Sequence, residues 1–157
     1  MVDRKRKPGA TLDPMQIAIE EAALAAERGE VPVGAAIVSS DGAVLAQTGN
    51  RTRELSDPTA HAELLAIRAA CENLGSERLT GFDIYVTLEP CAMCAAAISL
   101  ARLRRLYYGA GDAKGGAVAH GPRFYAQPTC HHRPEVYDGI REREASAMLT
   151  AFFESLR

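Results

Sequence analysis

The sequence has no apolar segment long enough to cross a lipid bilayer. Its longest apolar run, CAMCAAAISLA at residues 91–101, is short and rich in alanine, whereas a membrane-spanning helix needs about 20 predominantly apolar residues. The first residues, MVDRKRKPGATLD, also lack the apolar core that a secretory signal requires. We therefore expect a cytoplasmic protein that makes no contact with a membrane.

The chain is also poor in cysteine, with four in 157 residues: Cys71, Cys91, Cys94 and Cys130. Disulfide scaffolds are usually shorter, secreted chains. We therefore expect these thiols to be buried or to bind a metal ion rather than to form disulfides.

A strong charge of either sign is absent as well, since 18 basic and 20 acidic residues give a net charge of −2. General polyanion binders usually carry a basic excess or a strongly basic face. Any contact with nucleic acid must therefore be local, through segments such as DRKRK at residues 3–7 or ARLRRLYYG at residues 101–109. The alternative interpretation is ordinary solvated surface charge, and residues 1–12 are expected to form a disordered basic arm.

What the sequence does contain is enough apolar material for a sizeable core, at 47% hydrophobic residues. No linker or internal repeat divides it, so we expect one domain over residues 1–157. Periodicity and turn residues predict, for the first half, a helix from Pro14 that ends at Gly29, a hairpin at 31–49 and a helix from about Thr59 to Leu74. A strand at 83–88, a helix at 91–103 and a strand at 104–110 are predicted to follow. The rest is predicted to form a loop at 109–134 with one short helix, a strand at 134–137 and a helix at 141–156.

The succession of strand, helix and strand in the second half indicates a largely parallel inner sheet with helices packed on it. In the last helix, five apolar residues recur at helical spacing and are expected to pack mainly in the core, with one phenylalanine as a candidate to face a base. They are Met148, Leu149, Phe152, Phe153 and Leu156.

Two short motifs carry the chemistry, HAE at residues 61–63 and PCAMC at residues 90–94. Cys91 and Cys94 are three residues apart at a helix start, so both thiols lie on one face of the first turn. A helix N-terminus favours thiolates, which are the form that binds zinc. Together the motifs read H-x-E followed by P-C-x-x-C, which is similar to the signature of the zinc nucleobase deaminases.

Residues two apart on a helix point in different directions, so His61 and Glu63 cannot both be ligands of the same ion side by side. If the two helix starts face each other across adjacent parallel strands, His61, Cys91 and Cys94 supply three corners of a tetrahedron. Three protein ligands and one water are the catalytic pattern for zinc, which lowers the pKa of that water to about 7. Glu63 would then move protons beside the ion.

The alternative is a closed structural site. Its fourth ligand would come from one of His120, Cys130, His131 and His132. Such a site would leave Glu63 without a catalytic function.

With DPTAHAE, TLEPCAMCAAAI and GAGDAKGGA at their observed spacing, the chain resembles the bacterial tRNA adenosine deaminases of the cytidine deaminase-like superfamily, from about Glu30 onward. The resemblance implies an α/β fold, a three-layer α/β/α sandwich around a five-stranded mixed sheet. It also implies a homodimer with one Zn²⁺ per chain. The implied substrate is a tRNA anticodon stem-loop, whose wobble adenosine is deaminated to inosine.

Carried onto this sequence, the resemblance makes His61, Cys91 and Cys94 the zinc ligands and Glu63 the proton shuttle. Asn50 matches an asparagine that hydrogen-bonds the target base, and Asp112 falls where the family approaches the RNA backbone and ribose. The backbone N–H groups near Ala62 and Cys91 are further candidates for orienting the base and the reaction intermediate.

Two other functions remain open at this point. The same site could deaminate a free base or nucleoside, such as guanine, cytosine or a substituted cytidine. The chain could instead be a non-catalytic, zinc-stabilised RNA-binding module, which predicts four protein ligands and no functional role for Glu63.

Overall fold

The computed structural model describes residues 13–157, so the basic arm predicted at residues 1–12 lies outside the described part of the chain. The helices and strands are α1 (Pro14–Glu27), β1 (Gly34–Val38), β2 (Val44–Gly49), α2 (Ala62–Leu74), β3 (Asp83–Leu88), α3 (Ala92–Leu100), β4 (Arg105–Ala110), β5 (Glu135–Tyr137) and α4 (Glu142–Ser155). A short 3-10 helix at Phe124–Ala126 lies in the long loop before β5, as predicted. Within the described residues, no helix is both long enough and apolar enough to span a membrane.

The five strands form one sheet in the order β2-β1-β3-β4-β5. Strand β1 is antiparallel to both β2 and β3, whereas β3 pairs with β4 and β4 with β5 in parallel. This confirms the five-stranded mixed sheet. The expectation of a largely parallel sheet was wrong, because the β1–β2 hairpin joins the sheet through an antiparallel pairing with β3.

The sheet is covered by helices on both faces. One set of alternating strand residues, including Ile37, Ile84 and Leu106, packs with α2 and α3 in the larger core cluster. On the opposite face Met15 of α1 packs in a smaller cluster, against which Tyr85 of β3 is also packed. The three-layer α/β/α sandwich is therefore confirmed.

Helix α4 packs differently from the expectation. Of its residues only Ala145 is buried, while Phe153 is 49% and Leu156 65% exposed. The helix contacts the sheet through its first turns, where Ala145 lies close to Gly109 of β4. Its C-terminal half borders an open groove instead of the core, so the prediction that most of its apolar stripe packs inside was wrong.

Local capping explains where the helices begin and end. The Asp13 carboxylate accepts hydrogen bonds from two backbone N–H groups of the first turn of α1, as the Asp-Pro start predicted. Helix α2 begins at Ala62 rather than near Thr59. Thr59 is held in a turn, because its backbone N–H and its hydroxyl group both donate to Oδ1 of Asp57. Helix α3 ends at Leu100 rather than at residue 103, since the chain turns at residue 102 with a positive φ.

Strand β1 and helix α1 approach each other most closely at Gly34. A Cβ atom on this residue would lie 1.9 Å from the carbonyl oxygen of Ala18 and 2.6 Å from the backbone nitrogen of Ala22. Both neighbours are backbone atoms of a helix and cannot rotate away. Only glycine therefore permits this contact between helix and sheet.

We predict that Gly34→Ala lowers the free energy of unfolding by at least about 3 kcal/mol, because an added methyl group would have to move α1 away from the sheet. Gly29→Ala is the matched control. Its φ of +81° disfavours alanine, but no atom lies within 4 Å of the added Cβ, so its cost is limited to about 1 kcal/mol of backbone strain. Urea unfolding of both variants measures the difference, and equal losses would contradict the packing argument.

Candidate active site

The helix starts that carry the HAE and PCAMC motifs lie at the same edge of the sheet. Because β2 and β3 are both antiparallel to β1, they run in the same direction. The chain leaving β2 leads to α2, and the chain leaving β3 leads to α3. We expected the two strands to be adjacent, but β1 lies between them. Their common direction nevertheless brings both helix N-termini to one place.

Three potential ligand atoms meet at this edge. Nδ1 of His61 lies 3.6 Å from the Sγ atoms of Cys91 and Cys94, and all three atoms lie within 4.8 Å of one another. A tetrahedral zinc ion with Zn–N of about 2.1 Å and Zn–S of about 2.3 Å would hold nitrogen and sulfur about 3.6 Å apart. The donor set and its spacing therefore fit zinc. His61 and Cys91 are the N-caps of α2 and α3, and Cys94 follows in the first turn.

The residues considered as a fourth ligand hydrogen-bond other groups or lie outside the metal group. His120 hydrogen-bonds Glu89 through its ring at 2.7 Å, and the Cys130 thiol donates to the carbonyl oxygen of His132 at 3.2 Å. His131 is exposed. In residues 13–157 the metal group consists of three side chains, which is the open, catalytic arrangement rather than the closed structural one.

The electrostatics of the two thiols favour metal binding. The hydrogen bond from Cys94 and, after it, the interaction with His61 lower the pKa of Cys91 to about 4, against the effect of burial. The pKa of Cys94 is raised, first by that hydrogen bond with Cys91 and then by burial. One of the two thiols is therefore already ionised without a metal. A divalent cation between them would favour the thiolate form of both.

Glu63 lies beside the ligands without being one of them. Its carboxyl group is only 4% exposed, and burial raises its pKa to about 7. It interacts with the Cys94 thiol and lines the same cavity as His61 and Cys91. A buried carboxyl group with a pKa near neutrality can both accept and release a proton at physiological pH.

A cavity of about 340 Å³ opens over this group. It brings together five of the seven residues singled out from the sequence. The other two are fully buried: the sulfur of Cys94 belongs to the metal group, and the backbone N–H of Ala62 donates to the side chain of Asn50, which lines the cavity. The lining residues are Val31, Val33, Asn50, Thr52, His61, Glu63, Leu88, Glu89, Cys91, Asp112 and Gly115.

Asn50 is held by the start of α2. Its side-chain Oδ1 accepts a hydrogen bond from the backbone N–H of Ala62 at 2.8 Å. Its backbone N–H donates to the carbonyl oxygen of Val33 at 3.0 Å. Since Ala62 offers a donor, the side-chain oxygen must face it, which leaves Nδ2 as the group that can donate to a ligand. The N–H of Ala62, a candidate for orienting the base, is thus occupied by Asn50 in this structure.

Asp112 stands at the rim of the cavity in a tight turn. Its Oδ1 accepts the backbone N–H groups of Lys114 and Gly115 at 3.1 and 3.0 Å. Its own backbone N–H donates to Oε1 of Glu89 at 3.1 Å. The carboxylate position is therefore set by the local turn, and the position of the turn is tied to Glu89.

Sequence reasoning missed several lining residues. Glu89 carried a detectable signal, because a charged residue between the apolar strand β3 and Pro90 is unusual in a buried position. Val31, Val33 and Thr52 carried none, because they reach the cavity only through the path of the chain around β1 and β2.

Comparison with known proteins identifies the family. Residues 11–110 match the family described as cytidine and deoxycytidylate deaminase zinc-binding region. The chain is 63% identical over 143 residues to the tRNA-specific adenosine deaminase of Agrobacterium fabrum, covering 91% of this chain and 93% of that protein. The chain belongs to the tRNA-specific adenosine deaminases. The corresponding protein of Bacillus subtilis is 43% identical, with 91% and 88% covered.

Solved structures agree with this membership of the deaminase family. A structure from a study of A-to-I editing by tRNA:A34 deaminases at the wobble position of transfer RNA superimposes with a TM-score of 0.85 at 64% identity, covering 87% of this chain and 98% of that one. A guanine deaminase from Bacillus subtilis is more distant, with a TM-score of 0.62 at 30% identity and 92% and 91% covered. The family is zinc-binding, so the cofactor expected from the sequence is confirmed.

We predict that the purified deaminase contains one zinc ion per chain and that Cys94→Ala loses it. Removal of a direct ligand should weaken binding by more than the roughly 10- to 100-fold that loss of an outer-shell partner costs. Cys71→Ala is the matched control, since this partly buried thiol of α2 lies outside the metal group. Elemental analysis after dialysis measures the zinc content. Full zinc retention in Cys94→Ala would refute the proposed ligand set.

Proposed function

We propose that this deaminase converts adenosine to inosine at the wobble position of a tRNA anticodon, by zinc-dependent hydrolysis within a single domain. The observation that carries the proposal is a three-ligand metal group with a buried, non-ligating carboxyl group, Glu63, in the same cavity. A structural site would use four ligands and would not require that carboxyl group. The similarity to proteins named as tRNA-specific adenosine deaminases supports the choice of substrate.

In this proposal His61, Cys91 and Cys94 hold the metal, which when bound supplies the Lewis acid that makes water nucleophilic at neutral pH. Glu63 accepts a proton from the attacking water and passes it to the ring nitrogen of the base. The carbon that bears the amino group forms a bond to the water oxygen; Glu63 then moves the proton of the new hydroxyl group to the amino group, the C–N bond breaks, and ammonia leaves.

Binding of the base would involve Asn50, whose Nδ2 is the available donor because Oδ1 is used by Ala62. Asp112 at the rim would face the ribose and backbone of the RNA. An anticodon base is already unpaired, which reduces the cost of moving it into the cavity.

The nucleotides on either side of the target adenosine would lie in a larger groove of about 810 Å³ that adjoins the catalytic cavity. The two share Val31, Leu88, Asp112 and Gly115 as lining residues. Phe153 of α4 lines the groove and is half exposed, so it is the phenylalanine placed to stack on a base. Lys114 and Arg157 on the same groove supply positive charge for phosphates.

A second candidate is deamination of a free base. The similarity to the guanine deaminase of Bacillus subtilis, at 30% identity, favours it. The identity to the tRNA-specific enzymes is higher over a comparable share of the chain, which favours the RNA substrate.

We further propose that the enzyme is a cytoplasmic homodimer that uses the outer face of α3. This helix is apolar on all sides, although a helix that packs on one sheet normally has a polar outer face. Its outer residues remain half-buried or exposed, and Leu100 is 77% exposed. A second copy of the same helix face is a suitable apolar cover.

We predict that the wild-type enzyme releases ammonia from an anticodon stem-loop and that Glu63→Ala lowers this rate by at least about 100-fold, because proton transfer in general acid–base catalysis contributes 10²- to 10⁴-fold. Zinc content should be unchanged, since Glu63 is not in the ligand group. Glu72→Ala, an exposed glutamate on the same helix, should retain full activity.

Guanine, cytosine and cytidine are assayed in the same way. Reaction of these free compounds without reaction of the stem-loop would exclude the proposed RNA substrate. Full activity of Glu63→Ala would exclude the proton-transfer role.

We predict that sedimentation analysis shows a dimer and that Leu100→Glu converts it to a monomer, because a charge would be buried in an apolar contact. Leu156→Glu, which changes an exposed leucine directly after α4, is the control and should remain dimeric. A wild-type monomer would contradict the dimer, and a dimeric Leu100→Glu variant would place the contact elsewhere.

A further inference from the structure

Glu89 is a buried carboxylate that the deamination mechanism does not use. It is only 2% exposed and lies between strand β3 and the metal-ligand segment that begins at Cys91. Within residues 13–157, all hydrogen-bond donors to its carboxylate belong to the loop that follows β4. They are the backbone N–H groups of Asp112, Val118, Ala119 and His120, at 3.1 to 3.2 Å, and the His120 ring at 2.7 Å.

The loop closes tightly around this carboxylate. A Cβ atom on Gly116 would lie only 2.3 Å from Oε2 of Glu89, so no larger residue fits there without a shift. Buried backbone N–H groups need hydrogen-bond acceptors, and the oxygens of this carboxylate supply them.

The connection between Glu89 and the loop is reinforced by the backbone. The N–H of Glu89 donates to the carbonyl oxygen of Ala110 at 2.8 Å, and the N–H of Ala117 donates to the carbonyl oxygen of Pro90 at 2.9 Å. The segment before Cys91 and the loop after β4 thus hold each other at both ends. Asp112 and Gly115, which line the catalytic cavity, lie between these two attachments.

We propose that Glu89 is a positioning residue for the substrate: its carboxylate holds the loop of residues 111–120 so that Asp112 stands at the rim of the cavity. Glu89 then acts on RNA binding through Asp112 and not on metal binding or proton transfer. This inference rests on the proposed function in using the stem-loop as substrate.

The test is Glu89→Gln, which keeps the size of the side chain but replaces one oxygen by an N–H donor. The amide oxygen should face the three N–H groups of residues 118–120, because they are the larger set. The amide nitrogen then faces the N–H of Asp112, and that hydrogen bond is lost. We expect the KM for the stem-loop to rise at least about tenfold, which corresponds to about 1.4 kcal/mol, with a much smaller fall in kcat and unchanged zinc content.

A double-mutant cycle with Asp112→Ala separates positioning from a general structural role. If Glu89 acts through Asp112, adding Glu89→Gln to Asp112→Ala should raise KM by less than about twofold further. A merely structural role predicts a full additional loss, or lower zinc content with KM unchanged, and either result overturns the proposal. Glu72→Gln controls for the change of charge.

If Glu89→Gln does not fold, His120→Ala gives a milder form of the same test, because it removes one of five hydrogen bonds through a side chain that is 43% exposed. KM should then rise about two- to threefold with zinc retained, and an unchanged KM overturns the proposal. A wild-type enzyme that does not act on the stem-loop would refute the proposed function instead. A normal KM in Glu89→Gln with an active wild type refutes only this inference.

Discussion

The structure depends on one constraint, that three potential metal-ligand atoms from two separate helix starts must meet within a few ångströms. Nδ1 of His61 and the sulfur atoms of Cys91 and Cys94 satisfy it at 3.6 Å. Strand β1 makes this possible because it runs antiparallel to both of its neighbours, so that β2 and β3 point the same way. The tight packing of β1 on α1 at Gly34 keeps β1 in place.

Buried carboxyl groups perform different tasks around this centre, and the number of N–H donors near each one separates them. Glu63 has few donors, so burial raises its pKa to about 7 and it can carry a proton. Glu89 has five donors, and its pKa is lowered, so it remains an anion that organises a loop. Glu30 likewise accepts the backbone N–H groups of Arg53 and Glu54, in the loop that leads toward α2. The same side chain thus provides either chemistry or architecture, depending on its hydrogen bonds.

The elements of the fold were largely predictable, because their signals are local. Caps and turn residues such as Asp13 and Gly75 mark helix ends within a few positions in the sequence. The metal group was predictable because its ligand types and spacing are rare. What each helix packs against was less predictable. The apolar residues of α4 recur with the periodicity of a core helix, yet Phe153 lines a groove. Periodicity states which face of a helix is apolar but not what covers that face.

The sequence by itself determined the candidate donor set, since His61, Cys91 and Cys94 are ligand types at a spacing typical of zinc deaminases, with Glu63 two residues from His61 as the proposed proton carrier. It also determined most helices and strands, because capping and periodicity act over a few residues. Only the tertiary structure decided that β1 separates β2 from β3, that Asn50 caps α2 through Ala62, and that Glu89 holds the loop carrying Asp112. The Asn50–Ala62 and Glu89–Asp112 contacts join residues 12 and 23 positions apart, and the formation of all these contacts depends on the path of the whole chain.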